Sequence, residues 1–124
     1  MTEKLKLLVV DDDDAVIDYL RANLGERYDI VSTVSSEHVL YLARKNNPNL
    51  ILCDIDMPDM DGGDVSRALY SDGDLRDIPV LFITNLVTPS DLKTMVNQIG
   101  GRPAVSKRAP LPELVKKIES LIAR

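Results

Sequence analysis

The chain reads as an α/β protein built on a single parallel sheet. Three observations predict this. Short apolar runs alternate strictly with helical patterns along the 124 residues. The runs are rich in Val, Ile and Leu and mostly lack polar alternation, as strands covered on both faces do. Strand–helix alternation of this kind calls for right-handed crossovers, with helices on both faces of the sheet.

The elements follow in order. The first strand is Leu5–Val10. Asp14–Leu24 carries Ile17, Leu20 and Leu24 at helical spacing, and Gly25 stops it. A second strand covers Asp29–Val34, and a helix follows over Ser36–Lys45, with Val39, Leu42 and Ala43 apolar and Pro48 beyond its end. The third strand is Leu50–Cys53. Gly63–Tyr70 then shows Val65, Ala68 and Leu69. Ser71–Ile78 is acidic and irregular, and we expect it to be mobile. Val80–Thr84 is the fourth strand. Ser90 is placed to cap a helix over Asp91–Ile99, which Gly100 and Gly101 end. Ala104–Ser106 is the fifth strand. Leu111–Ala123 closes the pattern with a stripe of Leu111, Leu114, Val115, Ile118 and Ile122.

Bulk properties narrow the function. A length of 124 residues suits one domain, 1–124. A net charge of -5 repels a nucleic-acid backbone, so no nucleic-acid partner is expected. No apolar run reaches the ~20 residues needed to span a bilayer, and no signal peptide is visible. The expected setting is cytoplasmic. The single cysteine, Cys53, excludes an internal disulfide and reads as a packed core thiol.

The acidic residues are clustered. Asp11 to Asp14 form a run, and Asp54, Asp56, Asp59, Asp61 and Asp64 crowd another segment. Asp11-Asp12 and Asp54 sit where strands end, at the sheet edge where sites of open parallel sheets form. Two like charges about 4 Å apart repel by about 4 kcal/mol at an effective dielectric near 20. A bound cation removes that penalty. Oxygen donors without His or Cys suit a hard ion, and Mg²⁺ takes a few carboxylates and completes its shell with water or a phosphate. Two more strand ends supply Thr84, a hydroxyl donor, and Lys107, a point cation. Carboxylates serve as nucleophiles to phosphorus, so a phosphoryl group fits the set. Plainer explanations exist for each residue. Asp11 could cap the first helix, Thr84 could be an ordinary strand residue, and Lys107 could be solvated. Four strand ends on one edge carrying complementary groups favour a site.

These residues carry a resemblance. Leu8-Val9-Val10-Asp11-Asp12, Asp54-Ile55-Asp56-Met57-Pro58-Asp59-Met60-Asp61-Gly62, Pro79 to Thr84, and Lys107 resemble the receiver domain of two-component response regulators (the CheY-like superfamily) over nearly the whole chain. The resemblance implies a flavodoxin-like (βα)5 doubly wound fold with strand order 2-1-3-4-5. It implies that Asp54 accepts a phosphoryl group from a histidine kinase or phosphotransfer protein. It implies that Asp12, Asp54 and the backbone carbonyl of Asp56 bind Mg²⁺, that Asp11 reaches the metal through water, and that Thr84 and Lys107 bind the phosphoryl group. Phosphorylation and its reversal would be confined to Asp54, so the chain is not expected to be an enzyme in the ordinary sense. The implied downstream face lies within residues 85–124, where Lys93, Arg102, Arg108, Lys116 and Lys117 would favour an acidic partner. No output segment follows residue 124, which suits either a stand-alone receiver or a piece of a longer chain.

The departures from the family pattern concern the readout. Asn85 follows Thr84 where a small residue is usual. Ala104 stands three residues before Lys107 where an aromatic is common. Arg108 follows Lys107 in place of proline. We therefore expect phosphorylation with an altered relay. Asp56 adds a carboxylate next to the site and is expected to affect the lifetime of the phosphorylated state. Two alternatives stay open at this point. A pseudo-receiver would use the fold for binding alone, and Asp54-Ile55-Asp56 also resembles the nucleophile motif of haloacid dehalogenase-type phosphatases. His38 reads as a surface histidine.

Overall fold

The computed structural model describes residues 4–55, 57, 62–85, 90–91 and 101–122. Strands β1 (Leu5–Val10), β2 (Tyr28–Thr33), β3 (Leu50–Asp54), β4 (Val80–Thr84) and β5 (Ala104–Ser106) form one sheet in the order β2-β1-β3-β4-β5. Every neighbouring pair is parallel. Among the described residues the complete helices are α1 (Asp14–Leu24), α2 (Val39–Asn46), α3 (Gly62–Tyr70) and α4 (Leu111–Ile122). Of the helix expected over Asp91–Ile99, Asp91 is described and is helical, as is Ser90, the expected cap; the remainder lies outside the described residues.

The apolar runs explain the layering. Successive strand residues point to opposite faces. In β1, Leu7 and Val9 pack with Ile17, Leu20 and Leu24 of α1 and Leu114 and Ile118 of α4. Leu8 and Val10 face the other way, onto Val39 and Ala43 of α2 and Val65 and Leu69 of α3. The same division runs through β3 and β4, where Phe82 is fully buried. Each core aliphatic contributes about 1.5–3 kcal/mol when removed from water. A strand that stayed polar on one face would leave one helix layer without a partner.

Local chemistry sets the ends. Asp13 is the N-cap of α1, and its Oδ1 accepts from the Ala15 amide at 2.9 Å. At the other end the Gly25 amide donates to Arg21 O at 2.9 Å. A Cβ on Gly25 would stand 2.5 Å from that same oxygen, which is why the position is glycine. Ser35 Oγ caps a 3-10 turn, Ser36–His38, that precedes α2, so the expected Ser36–Lys45 helix is two pieces. Asn47 ends α2 with φ 48, ahead of Pro48. The second strand begins at Tyr28, a residue earlier than expected.

Ser71–Ile78 corrects an expectation. It is a run of hydrogen-bonded turns, with Leu75 and Arg76 amides donating to Asp72 O and the Ile78 amide to Leu75 O. Leu75 and Ile78 are buried in the α2–α3 layer. The segment is packed, despite its acidic composition.

Candidate functional site

The chain runs from β1 to β2 on one side and from β3 outward to β5 on the other. The direction therefore switches between β1 and β3, and the groove at that point opens over the carboxyl ends of both strands. Asp11 and Asp12 follow β1, and Asp54 is the last residue of β3. The ladder continues one step past each strand, with Asp11 N donating to Thr33 O at 3.2 Å and Ile55 N to Ile83 O at 3.0 Å. Those bonds fix the backbone on which the carboxylates stand.

Asp11 is fully buried, Asp54 is 4% exposed, and Asp12 is exposed. One carboxylate oxygen from each lies within 4.8 Å of the others. Asp11 does not cap α1. Its Oδ1 accepts from the Asp13 amide at 2.9 Å, which holds the loop that lets Asp13 do so. Asp11 Oδ2 faces Lys107 Nζ at 3.0 Å as an ion pair.

Lys107 follows β5. Its amide donates to Thr84 O at 2.6 Å, which ties it to the end of β4. Its ammonium lies 3.4 Å from Asp54 Oδ2. Burial pulls the Lys107 pKa down, but the close Asp11 and Asp54 carboxylates outweigh it, so the net shift is upward. The lysine is held charged. Thr84 is buried beside these groups at the end of β4. Beneath them, Cys53 is buried and its thiol donates to Asp54 O at 3.3 Å. Burial first, then the charges of Asp54 and Asp11, push that thiol far up.

Three carboxylates and one ammonium leave a deficit of two positive charges. The donors are all oxygen. This set fits a hard divalent cation such as Mg²⁺. An apolar cleft of about 310 Å³ adjoins Lys107, between Ala15, Tyr19 and Leu20 of α1 and Leu111 and Leu114 of α4.

Residues 7–119 match the family model of the response regulator receiver domain. The chain belongs to this family. It is 30% identical to the polar-differentiation response regulator DivK of Brucella ovis over 94% of each chain. It is similar to a solved candidate response regulator from Chloroflexus aurantiacus, with 28% identity, TM-score 0.87, and coverage of 98% of this chain and 100% of that one. The Vibrio cholerae chemotaxis protein CheY4 shares the fold at TM-score 0.83 and 22% identity, covering 96% of this chain and 99% of that one. Receiver domains are signalling phosphoacceptors that bind Mg²⁺ through acidic residues and interact with histidine kinases or phosphotransfer proteins.

Of the residues singled out in the sequence, this receiver brings Asp11, Asp12, Asp54, Thr84 and Lys107 to one edge. Asp56 and Lys93 lie outside the described residues. His38 is exposed, with Nδ1 3.5 Å from Thr33 Oγ1, apart from the carboxylate group. Arg108 occupies the usual proline position and uses the N–H a proline lacks, donating to Ser106 Oγ at 3.1 Å. Arg102 departs from the expected basic face. It is only 7% exposed and lies over the ring of Tyr70. Sequence reasoning missed this because an arginine after two glycines looks like a solvated turn residue.

Proposed function

We propose that the whole chain, 1–124, works as one cytoplasmic receiver in which Asp54 takes a phosphoryl group from a phosphohistidine. In that step an Asp54 carboxylate oxygen forms the bond to phosphorus, the phosphorus–nitrogen bond of the donor breaks, and the departing imidazole takes up a proton. The observation that carries the reading is the position of the Lys107 ammonium, 3.4 Å from Asp54 Oδ2 and 3.0 Å from Asp11 Oδ2. It supports a role in which Lys107 pairs with charge that builds on the phosphoryl oxygens and Thr84 donates its hydroxyl to one of them. Asp11, Asp12 and Asp54 would hold Mg²⁺, with Asp56 the further expected ligand. The ion when bound neutralises phosphoryl oxygens. The apolar cleft beside Lys107 gives a phosphohistidine donor a surface next to the reacting carboxylate.

Acetyl phosphate with Mg²⁺, followed by intact mass, tests this. We expect one added phosphoryl group that is absent in Asp54→Asn; unlabelled wild-type protein would refute it. The family match gives no support to a dehalogenase-type phosphatase. The relay is expected to run through residues 85–124 to a downstream protein, with Ala104 in place of the aromatic. Ala104 is partly buried against the core that holds Phe82. Amide NMR shifts with and without a phosphoryl mimic check the altered readout. Large shifts across residues 90–124 driven by an aromatic rotamer change would contradict it.

A further inference from the structure

Arg102 makes contacts that neither the site nor the core explains. Its Nε donates to Ser66 Oγ of α3 at 2.9 Å, and its Nη1 donates to Ile78 O, ahead of β4, at 3.5 Å. Its guanidinium carbon lies 4.1 Å from the centroid of the Tyr70 ring at the end of α3. Its Nη2 is buried and has no hydrogen-bond partner, and no carboxylate pairs with it among the described residues. A buried guanidinium with an idle donor, and with no counter-charge among the described residues, is a poor means of stabilising a fold. An apolar side chain of similar length would fill the same volume without that cost.

What the guanidinium does achieve is a tie between three segments. α3 is the helix that follows Asp54. Ile78 leads into β4, which ends at Thr84. Arg102 itself leads into β5, which ends one residue before Lys107. We propose that Arg102 is a positioning residue for the Asp54 site. Arg102 and Ile78 stand at the amino ends of β5 and β4, the sheet edge opposite the carboxylates, so one planar fork sets α3, β4 and β5 relative to one another and acts on Asp54, Thr84 and Lys107 along those elements. The proposal rests on the reading of Asp54 as phosphoacceptor.

The test uses the full chain and Arg102→Met, which keeps the apolar stem and removes both hydrogen bonds and the stacked cation. With acetyl phosphate and Mg²⁺, the initial rate of labelling is expected to fall by about three- to tenfold, as small misplacements of reacting groups do. The thermal midpoint is expected to stay the same or rise, because a buried charge with no ion pair among the described residues has gone. A structural role predicts the reverse, a lower midpoint with an unchanged rate per folded molecule, and that result overturns the proposal. A second measurement needs no phosphodonor. The ¹⁵Nζ and ¹³Cε resonances of Lys107 are expected to move in Arg102→Met, and in the same direction in the milder Ser66→Ala. Resonances that coincide with wild type in both variants also overturn it. If wild-type protein takes no phosphoryl group, the Asp54 reading fails, while the Lys107 resonances still decide the role of Arg102.

Discussion

Lys107 is the residue on which the charge balance turns. Its ammonium already satisfies part of the field of Asp11 and Asp54, so it competes with any cation the carboxylates hold. Lys107→Ala should therefore bind Mg²⁺ more tightly, by about tenfold or about 1.4 kcal/mol. Isothermal titration measures this, and weaker binding would contradict the charge assignment. The raised pKa also fixes a pH dependence. A lysine whose folded pKa exceeds its ordinary 10.5 adds stability that is fully present below that value. The contribution is lost as pH rises through the higher folded value. Urea midpoints of wild type and Lys107→Met should accordingly converge at strongly alkaline pH. Asp13 shows where reading residues one at a time runs out. Four consecutive aspartates offer four candidate caps, and only the geometry of the β1–α1 loop assigns the cap to Asp13 and the brace to Asp11.

At the scale of elements, two ends make separate predictions. Asn47 holds φ 48 at the end of α2, a conformation that costs most L-residues about 1–2 kcal/mol. Asn47→Ala should lose about 1 kcal/mol in urea unfolding, and Asn47→Gly no more than about 0.5 kcal/mol. The reverse ranking would mean that the Asn side chain, and not its backbone, ends the helix. The Arg44–Asp72 pair ties α2 to the turns after α3. The hydrogen bond from Arg44, then that from the Asp74 amide, hold the Asp72 pKa below 3.8. Its contribution is present above 3.8 and is lost as pH falls through the lower folded value, so Asp72→Asn should cost stability at pH 7 and progressively less at pH values below 3.8. An equal loss at both pH values would exclude the ion pair as cause. The strands were readable in advance because burial on both faces leaves continuous apolar runs such as Leu50 to Cys53. The packing of Ser71–Ile78 was not. Its aspartates suggested a loose loop, although Leu75 and Ile78, three apart, were the signal of a buried turn. Arg102 was hidden for a related reason, since a buried guanidinium and a solvated one look alike in one dimension.

The whole molecule links its stability to the proposed metal. The three grouped carboxylates come from two strands with about forty residues between them, so the unfolded chain presents no such cluster. A cation at a hundred times its dissociation constant should add about 2.7 kcal/mol to folding. Thermal midpoints with Mg²⁺ and with EDTA test this, and an equal rise in Asp54→Asn would place the ion elsewhere. The two-sided core has another effect, on a residue next to the proposed phosphoacceptor. Cys53 and Asp54 are adjacent on β3, and alternation sends their side chains to opposite faces of the sheet. A mixed anhydride at position 54 is an activated acyl group, and a thiolate is the nucleophile best suited to convert it into a thioester and expel phosphate. The layer that buries Cys53 keeps it protonated and turned away, so a phosphoryl group on Asp54, as proposed, would be shielded from the one sulfhydryl in the chain.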